Sequence, residues 1–251
     1  MSPQSVNDAA MALVEARRTG ATLRALPAAL APQTAADAYA IQDAVAHALG
    51  GVAGWKVGAK GLAAEPNCAP IPLPLLHASP HRFEAAQLRL RGIEAEFAFR
   101  FVHDLPPRAR PYERDEVAAA VASVHGAIEL VESRFEDIRT VDPLSLLADG
   151  NSHGALVVGA GVAAIDEVDS TRARVGLSFD DKTVAETTGG NPAGDVWRLL
   201  TWLANHCAAR GGGLRADQIV TTGSCTGLQF APAGTRVTVA IEGLPPVRVD
   251  V

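Results

Sequence analysis

Ile93-Glu94-Ala95-Glu96-Phe97-Ala98-Phe99 alternates with the two-residue period of a β-strand. Successive strand side chains point to opposite faces, so Ile93, Ala95, Phe97, Phe99 and, further on, Phe101 share one face and read as core. Glu94 and Glu96 share the other face with the small Ala98. Two neighbouring carboxylates repel and raise one another's pKa unless a cation lies between them. The stretch reads as a strand whose acidic face is either the exposed polar face of an edge strand or a place suited to a cation.

A third carboxylate points the same way. Ala127-Ile128-Glu129-Leu130-Val131 embeds Glu129 in an apolar strand, where a glutamate needs a partner. Glu132 follows, but the strand period turns it to the opposite face. Glu94, Glu96 and Glu129 together offer hard oxygen ligands suited to Mg²⁺ or Mn²⁺. The chain shows no His or Cys cluster with zinc spacing.

Outward from this strand, residues 5–19 read as an amphipathic helix, and 34–48 as a second, capped by Thr34 and stopped by Gly50-Gly51. The proline-rich stretch from Cys68 to Pro80 is expected to break regular structure, and the division falls there: residues 1–80 as a small N-terminal part, 81–251 as the main body. Beyond it, Gln87 to Arg91 alternates as a strand, 115–123 reads as a helix, 127–134 and 155–158 as strands, and 174–186 as a hairpin around Asp180-Asp181. Asn191-Pro192 is expected to open a helix to Arg210, with Val196, Leu199, Leu200, Leu203 and Cys207 as its buried stripe. Residues 219–222 read as a strand, and 235–241 with 247–251 as a closing hairpin. Several hairpins and few helices predict an α+β fold.

Composition narrows the function classes. The 251 residues are 48% apolar and 20% charged, ordinary for a globular chain and unlike a disordered one. A net charge of −6 and the lack of a basic block speak against a nucleic-acid surface. The longest apolar run, Gly154 to Ile165, is too short to span a bilayer. The N-terminus lacks a signal-type apolar core, and three scattered cysteines suit a reducing compartment, so a cytoplasmic location is expected, with no membrane partner.

Lysine is rare here: Lys56, Lys60 and Lys182 stand against 19 arginines. Lys56 lies between glycines in Gly54-Trp55-Lys56-Val57-Gly58, where a lysine in an apolar site with a cation would have its pKa lowered and could move protons. The run Asp149-Gly150-Asn151-Ser152-His153-Gly154 reads as a turn able to hold an anion, and Thr221-Thr222-Gly223-Ser224 as small residues lining a pocket. Neither has the spacing of a phosphate-binding loop, and Ser224 lacks the Gly-x-Ser-x-Gly frame of a serine hydrolase.

These motifs, with Tyr39-Ala40-Ile41-Gln42, Ile128-Glu129-Leu130-Val131-Glu132-Ser133-Arg134 and Gly190-Asn191-Pro192, occur in one ordered set. The set resembles the 2-keto-4-pentenoate hydratase / 4-oxalocrotonate decarboxylase family of the fumarylacetoacetate hydrolase superfamily. The resemblance implies a mixed β-sandwich roll with flanking helices and a small N-terminal α/β part. It implies a divalent metal on Glu94, Glu96 and Glu129, Lys56 as the catalytic lysine, and homo-oligomers, with a hydratase–decarboxylase complex as a further expectation. Asn151, Ser152, His153 and Ser224 are the candidates for holding the substrate. The implied reaction is addition of water to a short 2-hydroxy-dienoate in aromatic meta-cleavage catabolism, giving a 4-hydroxy-2-oxo acid. Decarboxylation of a 2-oxo dicarboxylate, hydrolysis of an acylpyruvate with His153 or His77 as base, and a non-catalytic partner subunit stay open. Leu75-Leu76-His77-Ala78-Ser79 lacks the acid that the family often carries there, and His153 follows the Asp149-to-Ser152 turn.

Overall fold

The computed structural model describes residues 1–163 and 168–251. Two helices come first, α1 (Pro3–Thr19) and α2 (Ala35–Ala48). Thr34 caps α2 and Asp37 returns the bond in a capping box. The remaining helices are α3 (Arg114–Ala119), α4 (Pro143–Ala148) and α5 (Val196–Ala209).

One sheet contains β1 (Val52–Gly58), β2 (Asn67–Pro72), β3 (Leu76–Ala78), β5 (Gly92–Phe101), β6 (Val121–Val131), β7 (His153–Val162), β10 (Ile219–Ser224) and β11 (Gln229–Phe230). Its order is β2-β1-β10-β5-β6-β7-β3, with β11 added beside β5. The second sheet has β4 (His81–Arg82), β8 (Arg174–Phe179), β9 (Lys182–Thr188), β12 (Arg236–Ile241) and β13 (Val247–Asp250), in the order β4-β13-β12-β8-β9.

The order of the first sheet dictates its shape. Strands β2 and β3 lie at opposite ends of it, yet only the short turn Leu73–Leu75 separates them in sequence. Such a turn reaches roughly 14 Å at most. The two edges must therefore meet, and the sheet curls into a roll. One face of β5, carrying Ile93, Ala95, Phe97, Phe99 and Phe101, packs outward against the second sheet and α5. Val237, Val239, Val247 and Val249 answer it from that sheet, and Leu199, Leu200 and Leu203 from α5. The other face turns into the roll, whose floor is Ile71, Ala98, Ala127, Leu156 and Ile219. Helices α1, α2 and α4 close on a separate cluster around Ile41 and Phe135.

The α+β class and the helix-flanked roll agree with the sequence expectation; several details differ. The proline-rich stretch carries β2 and β3, because Pro70 and Pro72 sit on an edge strand where a missing N–H is tolerated. Strands β1, β2 and β3, all before residue 80, are hydrogen-bonded into the same sheet as β5 and β6. Residues 88–91 form no strand: Glu132 Oε1 accepts the N–H groups of Leu90 at 2.8 Å and Arg91 at 2.7 Å. Helix α3 ends at Ala119, and Val121 already pairs with Phe101. Asn191 does not cap α5. Its side-chain N–H₂ donates to Thr222 O at 2.7 Å, and Asp195 caps the helix instead. The apolar run from Gly154 is β7 as far as Val162; residues 164 and 165 at its end lie outside the described residues. Among the described residues no helix is long and apolar enough to cross a membrane.

Candidate active site

Glu94, Glu96 and Glu129 all face the inside of the roll. Strand β5 places Glu94 directly opposite Glu129 of β6, and Glu96 opposite Ala127. One carboxylate oxygen from each lies within 4.8 Å of the others. Lys56 arrives from β1, where it pairs with Thr221 of β10 and Ala69 of β2. Its neighbours Trp55 and Val57 take the outward, core-facing positions. Gly54 lets β1 lie this close to β10, since a Cβ there would stand 2.3 Å from Ile219 O.

The lysine ammonium donates to Glu129 Oε1, and at 3.4 Å to Asn151 O. His153 Nδ1 meets the same Glu129 oxygen at 3.0 Å. Glu129 Oε2 is buried and has no hydrogen-bond partner among the described residues. Glu96 Oε2 accepts from Thr221 Oγ1 and, at 3.0 Å, from the N–H of Gly223, which lies in the left-handed region at φ +91°.

Burial and the facing Glu129 charge push Glu94 up to about 7, against the pull of Lys56. Burial, then Glu129 and Glu94, hold Glu96 well above the usual carboxylate range. Burial would raise Glu129 too, but Lys56 and the His153 hydrogen bond bring it down to about 2. Burial pushes His153 down to about 4, outweighing the pull of Glu129, so its ring is neutral near pH 7. Lys56 departs from the sequence expectation. Burial alone lowers its pKa, but the carboxylates of Glu129, Glu94 and Glu96 reverse that and hold it above its ordinary value. The expectation weighed an apolar surrounding; the roll gives the ammonium three acids.

This donor set fits a divalent cation. The oxygens converge, one has no partner among the described residues, and burial with the neighbouring acid charge holds two of the acids protonation-prone.

The substrate candidates are placed differently from one another. Asn151, at φ +52°, offers its carbonyl to Lys56, and its side chain donates to Asn67 Oδ1 at 2.8 Å. Ser152 is buried at φ +60°, and its carbonyl accepts the N–H of Glu132. Ser224 pairs with Glu96 across β10 and β5, and its hydroxyl is buried beside the Glu94 carboxylate. The His153 ring, 2% exposed, lies against Glu129. His77 is not brought to the cluster. Register aligns it with Val157 and Ile128, on the face opposite Glu129, and its ring stacks on His81 at 4.0 Å.

Sequence reasoning missed Thr221 as the hydroxyl on Glu96, Asn67 as the partner of Asn151, and Arg17 and Arg134, which meet at the His153 carbonyl. Thr221 was legible only as a small residue after a strand. The arginines act across 136 and 19 residues, and no local pattern marks them.

Residues 80–251 match the family model described as fumarylacetoacetate (FAA) hydrolase C-terminal. The chain belongs to the fumarylacetoacetate hydrolase family. Within that family it is similar to a 2-keto-4-pentenoate hydratase of Paraburkholderia phymatum, 30% identical over 160 residues, 63% of this chain. The aligned stretch spans 59% of that relative's length. A 2-keto-4-pentenoate hydratase of Paraburkholderia xenovorans is 26% identical over an alignment of 263 residues, covering 100% of this chain and 96% of that one. In fold, this fumarylacetoacetate hydrolase family member is similar to the 4-oxalocrotonate decarboxylase from Pseudomonas putida G7, solved with magnesium and adipate. The TM-score is 0.88 at 23% identity, over 100% of this chain and 98% of that chain.

Proposed function

We propose that this protein is a hydro-lyase that adds water to a short 2-hydroxy-dienoate of the kind formed in aromatic meta-cleavage, giving a 4-hydroxy-2-oxo acid. The observation that carries the reading is the convergence of Glu94, Glu96 and Glu129 beside Lys56 inside the roll, with Glu129 Oε2 unpartnered among the described residues. The hydratase names of the relatives support the same substrate class.

The three glutamates would hold Mg²⁺ or Mn²⁺. Such an ion supplies Lewis acidity that favours negative charge on the substrate's 2-oxygen. Lys56 holds the proton that ketonisation has to move, at Nζ, and the acids around it keep that nitrogen charged until a proton is needed elsewhere. Ser224 Oγ, Asn151 and the turn at Ser152 supply polar contacts for the substrate's carboxylate and distal end. The buried apolar residues Ile71, Leu156 and Ile219 give the site an apolar floor for the substrate's hydrocarbon part. The reading carries with it assembly into homo-oligomers, which light scattering checks.

The test is product analysis. Purified protein with Mg²⁺ or Mn²⁺ and 2-hydroxypenta-2,4-dienoate should form 4-hydroxy-2-oxopentanoate, and chelator should stop it. Release of CO₂ from oxalocrotonate without hydration of the dienoate would overturn the hydratase assignment. So would cleavage of an acylpyruvate to pyruvate and an acid.

A further inference from the structure

Helices α1 and α2 supply none of the three carboxylates, yet α1 sends one side chain to the start of β7. Arg17 donates from Nη2 to His153 O at 2.6 Å and from Nη1 to Gly154 O at 3.2 Å. Arg134, ion-paired with Asp149, donates to the same His153 oxygen at 2.9 Å. Two guanidiniums thus converge on one peptide carbonyl. That peptide begins β7, where His153 pairs with Val131, two residues along β6 from Glu129 and on the same face. From this clamped backbone the ring reaches Glu129 and places Nδ1 on Oε1.

Glu129 Oε1 therefore has two donors, Lys56 Nζ and His153 Nδ1, and Oε2 has none among the described residues. Lys56 cannot set this asymmetry alone. Its stem is flexible, its ammonium also reaches Asn151 O, and the charges of Glu94 and Glu96 attract it as well. An imidazole on a backbone fixed in this way offers one N–H along one direction, which is how a partner orients a ligating carboxylate. We propose that His153, clamped by Arg17 and Arg134, is a positioning residue that pins Glu129 Oε1 and so presents Oε2 to the cation. This inference rests on the metal reading above and gives the N-terminal helical layer a role in the site.

The test is calorimetric titration with Mn²⁺, alongside the thermal midpoint of each metal-free variant. His153→Leu removes the donor and should weaken Mn²⁺ binding roughly 10- to 100-fold. His153→Asn, whose amide N–H₂ can take the place of Nδ1–H, should stay much nearer to wild type. Arg17→Met loosens the clamp and should fall between the two. A folded His153→Leu with wild-type affinity would overturn the inference, as would equal loss in the leucine and asparagine variants. Should the leucine variant not fold, wild-type affinity in Arg17→Met overturns the clamp. Wild-type protein that takes up no Mn²⁺ overturns the metal reading, and this inference falls with it; uptake by wild type and His153→Leu alike overturns the inference alone.

Discussion

Glu94 and Glu129 stand directly opposite one another in the register of β5 and β6, a cross-strand pair of like charges inside a roll. Like charges so placed destabilise a sheet. Lys56 and the His153 hydrogen bond hold Glu129 down to about 2, while burial and the Glu129 charge carry Glu94 up to about 7 against the pull of Lys56. The pair is unfavourable for the fold by itself and becomes favourable once more positive charge arrives.

Glu129 and Glu132 should separate function from stability. Glu129→Gln should weaken Mn²⁺ binding strongly, measured by calorimetry. Glu132→Gln should leave it unchanged, because Glu132 accepts from Leu90 and Arg91 outside the cluster. It should instead cost about 1 kcal/mol in urea unfolding. Equal effects on Mn²⁺ from both changes would contradict the assignment.

Lys56→Met should abolish turnover and lower the stability of metal-free protein by roughly 3 kcal/mol, since it leaves Glu129 buried without its cation. Saturating Mn²⁺ should recover the thermal midpoint and not the activity. Lys60→Met, at an exposed position, should be silent in both. Full activity in Lys56→Met would remove the lysine from the chemistry.

The strand that carries Glu94 and Glu96 was legible because its alternation is local and its apolar face is aromatic-rich. Glu129 was legible because a glutamate amid Ile128, Leu130 and Val131 is anomalous. The curl of the sheet is implied only by the family resemblance, since it follows from β2 and β3 lying at opposite edges, which no periodicity records. The start of α5 was misplaced because Asn191, a good cap by type, is held by Thr222 and Gly223 carbonyls 31 and 32 residues away. The direction of the Lys56 shift failed for a similar reason: it depends on acids from β5 and β6.

Asp149→Asn should be among the most damaging changes outside the carboxylate cluster. Asp149 receives Arg134, the Ser133 hydroxyl at 2.8 Å and the Arg134 N–H at 3.2 Å, all buried. Leaving Arg134 unpaired should cost about 3–5 kcal/mol in urea unfolding. A loss below about 1 kcal/mol would mean that the pair is replaceable by water.

The thiols offer a check on packing. Burial pushes Cys68 and Cys225 up to about 12, and raises Cys207 as well. A raised pKa keeps a thiol protonated, so at pH 8 the native protein should be inert to a chromogenic disulfide reagent. All three cysteines are free and should react after unfolding in denaturant. Fast reaction of any of them in native protein would contradict the core described here.

A cation held by Glu94, Glu96 and Glu129 would, together with Lys56, favour the enolate of a short 2-oxo acid, and proton exchange reads this without the rest of the reaction. In D₂O with Mg²⁺, 2-oxopentanoate should exchange its C3 protons by NMR at a rate proportional to enzyme. Chelator or Glu96→Gln should abolish the exchange. Absence of exchange in protein shown by calorimetry to hold the metal would contradict the account.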